Sequence, residues 1–86
     1  MSEPEDIRRR RLRYQASRRG FKEADLLVGG FAASEIEKLD ARQLDAFERL
    51  LSHADHDLYA WALGHEAAPA SVAGEVLERL KAFARK

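Results

Sequence analysis

An 86-residue chain without cysteine, with 15 Lys and Arg against 15 Asp and Glu and 45% hydrophobic residues, fits one small folded domain burying roughly 60–65% of its unfolded surface. The missing cysteine excludes disulfides, zinc–thiolate centres and cysteine nucleophiles. No apolar h-region opens the chain and no run approaches ~18 apolar residues, so neither secretion nor membrane spanning is expected, and a cytoplasmic monomer or small complex is. The zero net charge hides a polar layout: from Ile7 to Lys22 every charged residue is basic (Arg8, Arg9, Arg10, Arg11, Arg13, Arg18, Arg19, Lys22), and from Glu23 onward acids outnumber bases. The Arg8–Arg11 run resembles a twin-arginine signal, but no hydrophobic segment follows it. The basic pole reads either as a solvated helix end or as a face for an anionic partner.

In chain order, Met1–Glu5 read as a frayed leader, and Asp6 is placed to cap a first helix from about Ile7 to Arg19. Ile7, Leu12 and Tyr14 are its few apolar residues, so most of it should face water or a partner. Gly20 then fits a left-handed helix stop beneath Arg18 and Arg19. A second helix begins near Phe21 and carries Leu26, Leu27, Val28, Phe31 and Ala32, a stripe broad enough to be nearly surrounded by core. Gly29 and Gly30 inside it together cost about 2 kcal/mol of helix propensity, which predicts close helix packing or a kink. Ser34-Glu35-Ile36-Glu37 has the form of a capping box, yet continuation of the same helix to about Lys38 is the preferred reading.

Asp40 with Gln43 is a capping box opening a third helix to about Ser52, with Leu44, Phe47, Leu50 and Leu51 at helical spacing. Asp55 is placed to cap a fourth helix through Leu58, Tyr59, Trp61 and Leu63, ended by Gly64. Tyr59 and Trp61 point about 200° apart on that helix. Core is the favoured role for both, with an edge or partner role open for one of them. Ser71 is expected to open a fifth helix carrying Val72, Val76, Leu77, Leu80 and Phe83. No segment alternates with the period of a strand. The fold class is all-α: a compact single-domain bundle of five short helices.

Candidate chemistry is sparse. His53, His56 and Asp57 have the residue types of a zinc site but lie in a connector without a third strong ligand, so no metal is expected. His65, just after Gly64, is explained by the dipole at a helix C-terminus. No serine lies in a nucleophile elbow and no glycine-rich phosphate loop is present. The chain therefore reads as a non-enzyme. What stands out is Arg18-Arg19-Gly20-Phe21-Lys22-Glu23. An Arg–Glu pair spaced as Arg19 and Glu23 adds at most ~0.3 kcal/mol to a helix, too little to account for both charges, and a recognition role follows.

Arg19-Gly20-Phe21-Lys22-Glu23 matches the Arg-Gly-x-x-Glu signature of the succinate dehydrogenase flavinylation factors. Around it stand Arg18, Asp25-Leu26-Leu27, Gly29, Phe31-Ala32, Phe47-Glu48-Arg49-Leu50-Leu51 and Asp57-Leu58-Tyr59-Ala60-Trp61, with Pro69 after them. From about Arg10 to Ala84 the chain resembles this small helical assembly-factor family. The resemblance implies a chaperone that binds the flavoprotein subunit of succinate dehydrogenase, and of fumarate reductase, and promotes covalent attachment of FAD to a histidine of that client. It implies that FAD is held by the client and that no cofactor is bound stably here. Arg18, Arg19, Gly20, Phe21, Lys22, Glu23 and Asp25 are the expected partner-binding residues, and the charge pair around Gly20 suggests their roles: Arg19 bonding to the client, Glu23 holding Arg19 or meeting a client cation, Phe21 as an apolar anchor. Phe21 stands where the family commonly has Met, and Gly30 where a longer residue is common, which leaves the straightness of the second helix open. The competing readings are a nucleic-acid binder using Arg8–Arg13 as a phosphate-tracking arm and an antitoxin-like interaction module. An acidic body without base-reading side chains among the basic ones speaks against nucleic acid.

Overall fold

The computed structural model describes residues 3–86. Five α-helices and one short 3-10 turn surround a single hydrophobic core: α1 Glu5–Ala16, α2 Lys22–Glu35, the 3-10 turn Ile36–Lys38, α3 Ala41–Leu51, α4 Asp55–Leu63 and α5 Glu75–Ala84. The core is built from Phe31 of α2, Phe47 and Leu44 of α3, Leu58 and Trp61 of α4, and Leu77 and Leu80 of α5. Among the described residues there is no strand, as the sequence predicts. Of the expected leader, Met1 and Ser2 lie outside the described residues, and Glu5 already belongs to α1.

Helix boundaries follow local chemistry. The Asp40–Gln43 capping box forms with both of its bonds, each 2.9 Å. Gly64 adopts φ 77° and ends α4. There His65 N–H donates to the Ala60 carbonyl at 2.8 Å and Gly64 N–H to Trp61 at 3.2 Å, the paired bonds of a Schellman stop. Four expectations are corrected. Helix α1 starts at Glu5 because the Pro4 carbonyl accepts the Arg8 N–H at 2.9 Å, so Asp6 lies inside the first turn and caps nothing. It ends at Ala16, with the Ser17 hydroxyl folded back onto the Tyr14 carbonyl at 2.8 Å, and Gly20 is not left-handed, Gly64 being the positive-φ glycine. Helix α5 starts at Glu75 rather than Ser71: Val72 and Ala73 both donate to the Pro69 carbonyl in a turn, and Gly74 is fully extended at φ 160° and ψ −170°, which blocks helix propagation across it.

Helix α1 buries only Leu12 and Ala16, and arginine supplies much of what holds it. Arg8 pairs with Asp45 at 2.6 Å and Glu48 at 2.9 Å on α3, and Arg11 pairs with Glu48 at 3.0 Å and Glu3 at 2.7 Å. Arg9 donates to the carbonyls of Ile36 at 3.2 Å and Leu39 at 2.7 Å, and Arg13 pairs with Glu37 at 2.8 Å. A forked guanidinium reaches two acceptors at once, which suits it to tie one helix to another. The basic run is thus neither a bare solvated end nor a free anion-binding arm. Four of its members tie α1 to α3, to the 3-10 turn and to the chain leading into α3.

Helix α2 continues across Gly29 and Gly30, and the close packing expected there is present at Gly29. A Cβ on Gly29 would lie 3.0 Å from Ser17 Cα, whereas one on Gly30 would meet only the edge of the Phe83 ring, at 3.4 Å. Gly29 therefore sets how near the end of α1 comes to α2. Gly30→Ala is expected to raise the unfolding free energy by about 0.5–1 kcal/mol and Gly29→Leu to lower it by about 1–3 kcal/mol, both read from urea unfolding.

The hydrogen bond from Arg11, and then that from Arg8, hold the Glu48 carboxyl below the usual glutamate range against the opposing effect of burial. A carboxylate depressed in this way adds stability above its unfolded pKa of about 4.3, and that stability is lost as pH falls through the lower folded value. The group is partly exposed, so Glu48→Gln is expected to cost about 0.5–1 kcal/mol at pH 7. Thermal scans across pH should show the difference from the parent closing as the pH is taken below the ordinary glutamate range and Glu48 becomes protonated.

Candidate functional site

The segment between α1 and α2 is short, and its conformation is fixed by direct contacts with the α3–α4 connector, the start of α4 and α2. Arg19 leaves the end of α1 and turns inward, its side chain only 9% exposed. Its Nε donates to Asp55 Oδ1 at 2.7 Å, and its Nη2 donates to the carbonyls of Leu51 at 2.9 Å and His53 at 3.3 Å. One guanidinium therefore closes the α3–α4 connector, across 36 positions of sequence. The other oxygen of Asp55 accepts the backbone N–H of Gly20, and Asp25 on α2 accepts the backbone N–H of Arg19. Asp55 thus grips two consecutive residues of the loop with its two oxygens.

This grip explains the glycine. A Cβ on Gly20 would stand 2.6 Å from Asp55 Oδ2. Any larger residue has to push away the carboxylate that Arg19 and the Gly20 N–H both need. The requirement at position 20 is for closeness, not for left-handed backbone. Asp55 does not cap α4 as its position predicts: the residue before the helix is Ala54, without a side-chain cap, and the Asp55 carboxylate turns to the loop instead.

Beside the grip lies a small aromatic group. The Phe21 ring stacks on His56 at 4.8 Å and 16° and meets the edge of Tyr59 at 5.2 Å. His53 faces elsewhere, edge-on to Trp61 at 5.2 Å. The two imidazoles that the sequence offered as metal ligands have separate aromatic partners, and among the described residues no group of three His, Cys, Asp or Glu side chains is arranged to hold an ion. Trp61 is buried, while Tyr59 sits half-buried at the edge.

The seven candidate residues divide between two environments. Arg18, Gly20, Lys22 and Glu23 are exposed, Arg19 and Asp25 are turned inward, and Phe21 lies between, half-covered by His56 and Tyr59. Arg18 rests over the Tyr14 ring at 4.9 Å. Of the two roles expected for Glu23, holding Arg19 falls to Asp55 instead. Glu23 is left facing solvent on the first turn of α2. Asp55, His56 and Tyr59 complete the site and were not foreseen as parts of it.

A family model described as "flavinator of succinate dehydrogenase" matches residues 10–84. The chain belongs to that family. Among curated relatives, "FAD assembly factor SdhE" of Legionella pneumophila (strain Paris) is 55% identical over 49 residues, covering 57% of this chain and 62% of that protein. "Succinate dehydrogenase assembly factor 2, mitochondrial" of Saccharomyces cerevisiae (strain ATCC 204508 / S288c) is 44% identical over 61 residues, 71% of this chain and 38% of the relative. "Succinate dehydrogenase assembly factor 2-B, mitochondrial" of Drosophila ananassae is 37% identical over 82 residues, 93% of this chain and 50% of the relative. The matched stretches thus span less than two thirds of these relatives' own length. The family's charged signature maps here onto one inward charge, Arg19, and one outward charge, Glu23.

Asp55→Ala would leave the nearly covered Arg19 guanidinium and the Gly20 N–H without their acceptor. It is expected to cost about 1–3 kcal/mol of stability and to raise amide hydrogen exchange at Gly20 and Phe21. Asp55→Asn, which keeps an oxygen for one of the two donors, should lie between Ala and the parent.

Proposed function

We propose that this protein is an assembly factor for the flavoprotein subunit of succinate dehydrogenase, and of the related fumarate reductase, that promotes covalent attachment of FAD to a histidine of that client. Family membership carries the reading, and the geometry of the Arg19–Glu23 segment supports it. The segment offers a nearly bare backbone at Gly20, an outward carboxylate at Glu23 and an outward ammonium at Lys22, on a loop whose shape is already set before any partner arrives. A preset surface avoids the ordering cost that a floppy loop meets on docking.

In this reading Arg19 is a positioning residue. Its donors are engaged by Asp55, Leu51 and His53, and it acts by holding Gly20 and Phe21 in place. Glu23 is the group that meets the client, through a charge-assisted hydrogen bond to a cation or a backbone N–H. Docking would keep the client's FAD-bearing and mobile parts in the arrangement in which its own histidine reaches the flavin, and positioning alone can lower a barrier by several kcal/mol. FAD stays with the client, the bond-forming groups belong to the client, and the factor acts as a chaperone and not as an enzyme. No described helix is long and apolar enough to cross a membrane. A cytoplasmic protein, monomeric when free, is the corresponding proposal.

The test mixes apo-flavoprotein subunit with FAD, with and without the factor, and follows flavin fluorescence that survives a denaturing gel. Glu23→Ala is expected to keep the parental thermal midpoint and to lower covalent flavin incorporation by roughly tenfold. Arg19→Ala and Gly20→Arg should lower both. Full activity of a folded Glu23→Ala protein would remove Glu23 from the contact, and absence of any stimulation by the parent would remove the function.

A further inference from the structure

The face where α1 and α2 meet carries a surface that the Arg-Gly-x-x-Glu segment does not use. Leu26 and Tyr14 are the two most exposed large apolar side chains among the described residues, at 66% and 61%. Between the helices runs an open groove lined in part by Gly29, Ser17, Tyr14 and Arg10. It is floored by backbone because Gly29 brings Ser17 so near. Leu26 precedes Gly29 by three positions and Lys22 precedes Leu26 by four, so all three lie on one stripe of α2.

Charge on this face is unbalanced. Within the basic stretch Arg8, Arg9, Arg11, Arg13 and Arg19 are all in ion pairs, whereas Arg10, Arg18 and Lys22 make none among the described residues. Arg18 is held outward by its seat on Tyr14. The acids nearest by register are Asp6, one turn before Arg10 on α1 but in no ion pair with it, Glu23 beside Lys22, Asp25, already accepting the Arg19 N–H, and Glu37, already held by Arg13. Three uncommitted cations thus surround two apolar side chains that water covers at a cost.

We propose that this groove is a second docking surface, and that its occupant is a segment of the flavoprotein client in which carboxylates flank an apolar side chain. This rests on the function proposed above and adds to it a contact made by Arg10, Tyr14 and Leu26. A phosphate backbone would satisfy the cations but leave Leu26 uncovered, which favours a polypeptide over nucleic acid.

The test titrates the 86-residue protein against the FAD-loaded flavoprotein subunit at several salt concentrations. The variants are Arg10→Glu and Leu26→Ser, both at exposed positions outside the signature, with thermal midpoints confirming the fold. Arg10→Glu should weaken binding on the order of fivefold and flatten its salt dependence. Leu26→Ser should weaken it about tenfold and leave the salt dependence unchanged. Parental binding that neither variant alters overturns this surface and leaves the function standing, whereas no parental binding overturns both. A labelled duplex DNA, or a second copy of the chain, whose binding both variants abolish while flavoprotein binding persists would assign the groove to that occupant and overturn the proposal.

Discussion

One carboxylate organises the loop that carries the Arg-Gly-x-x-Glu segment. Asp55 holds the side chain of Arg19 with one oxygen and the backbone of Gly20 with the other. Through Arg19 it also reaches the carbonyls at the end of α3. A loop between two helices is ordinarily among the softer parts of a small domain. Here it is fastened to the connector between two other helices by a nearly covered guanidinium, the geometry in which such pairing counts most, because removing one partner strands the other. The loop, the connector and the first turn of α4 therefore behave as one unit, and Phe21 extends it by lying against His56 and Tyr59.

The same logic recurs in α1 with different consequences. A helix with two buried residues has little hydrophobic attachment, and its arginines replace that attachment with forked bonds to α3 and to the carbonyls around the 3-10 turn. Those bonds are more exposed than the Arg19–Asp55 pair. They are individually weak, sensitive to salt and, at Glu48, to acid. The protein thus combines a firmly set loop between α1 and α2 with a first helix whose hold depends on solution conditions.

Much of the architecture was legible from the sequence because it rests on local rules. Asp40 and Gln43 form the reciprocal bonds their spacing announces, Gly64 is the left-handed stop, and Leu44, Phe47, Leu50 and Leu51 face the core as their spacing requires. The start of α5 was misplaced because Ser71 looks like a cap while Gly74, extended, decides the matter. The signature was legible as a candidate site, but its internal wiring was not. Arg19 and Glu23 sit four apart and invite pairing, yet Arg19 finds its carboxylate 36 positions away. Asp55 has a perfectly good local job as a cap, and only the three-dimensional arrangement shows that it declines it. Long-range polar pairing leaves no periodic trace, which is also why the tethering of Arg8, Arg9 and Arg11 could not be separated from a free basic arm.

The chain has a single tryptophan, and Trp61 lies edge-on to His53, the residue whose carbonyl Arg19 engages. The indole is thus two contacts from the docking loop while remaining covered by the core. The one intrinsic fluorophore of its kind thus sits beside the connector that Arg19 closes, where no added label is needed to place a probe near the loop between α1 and α2.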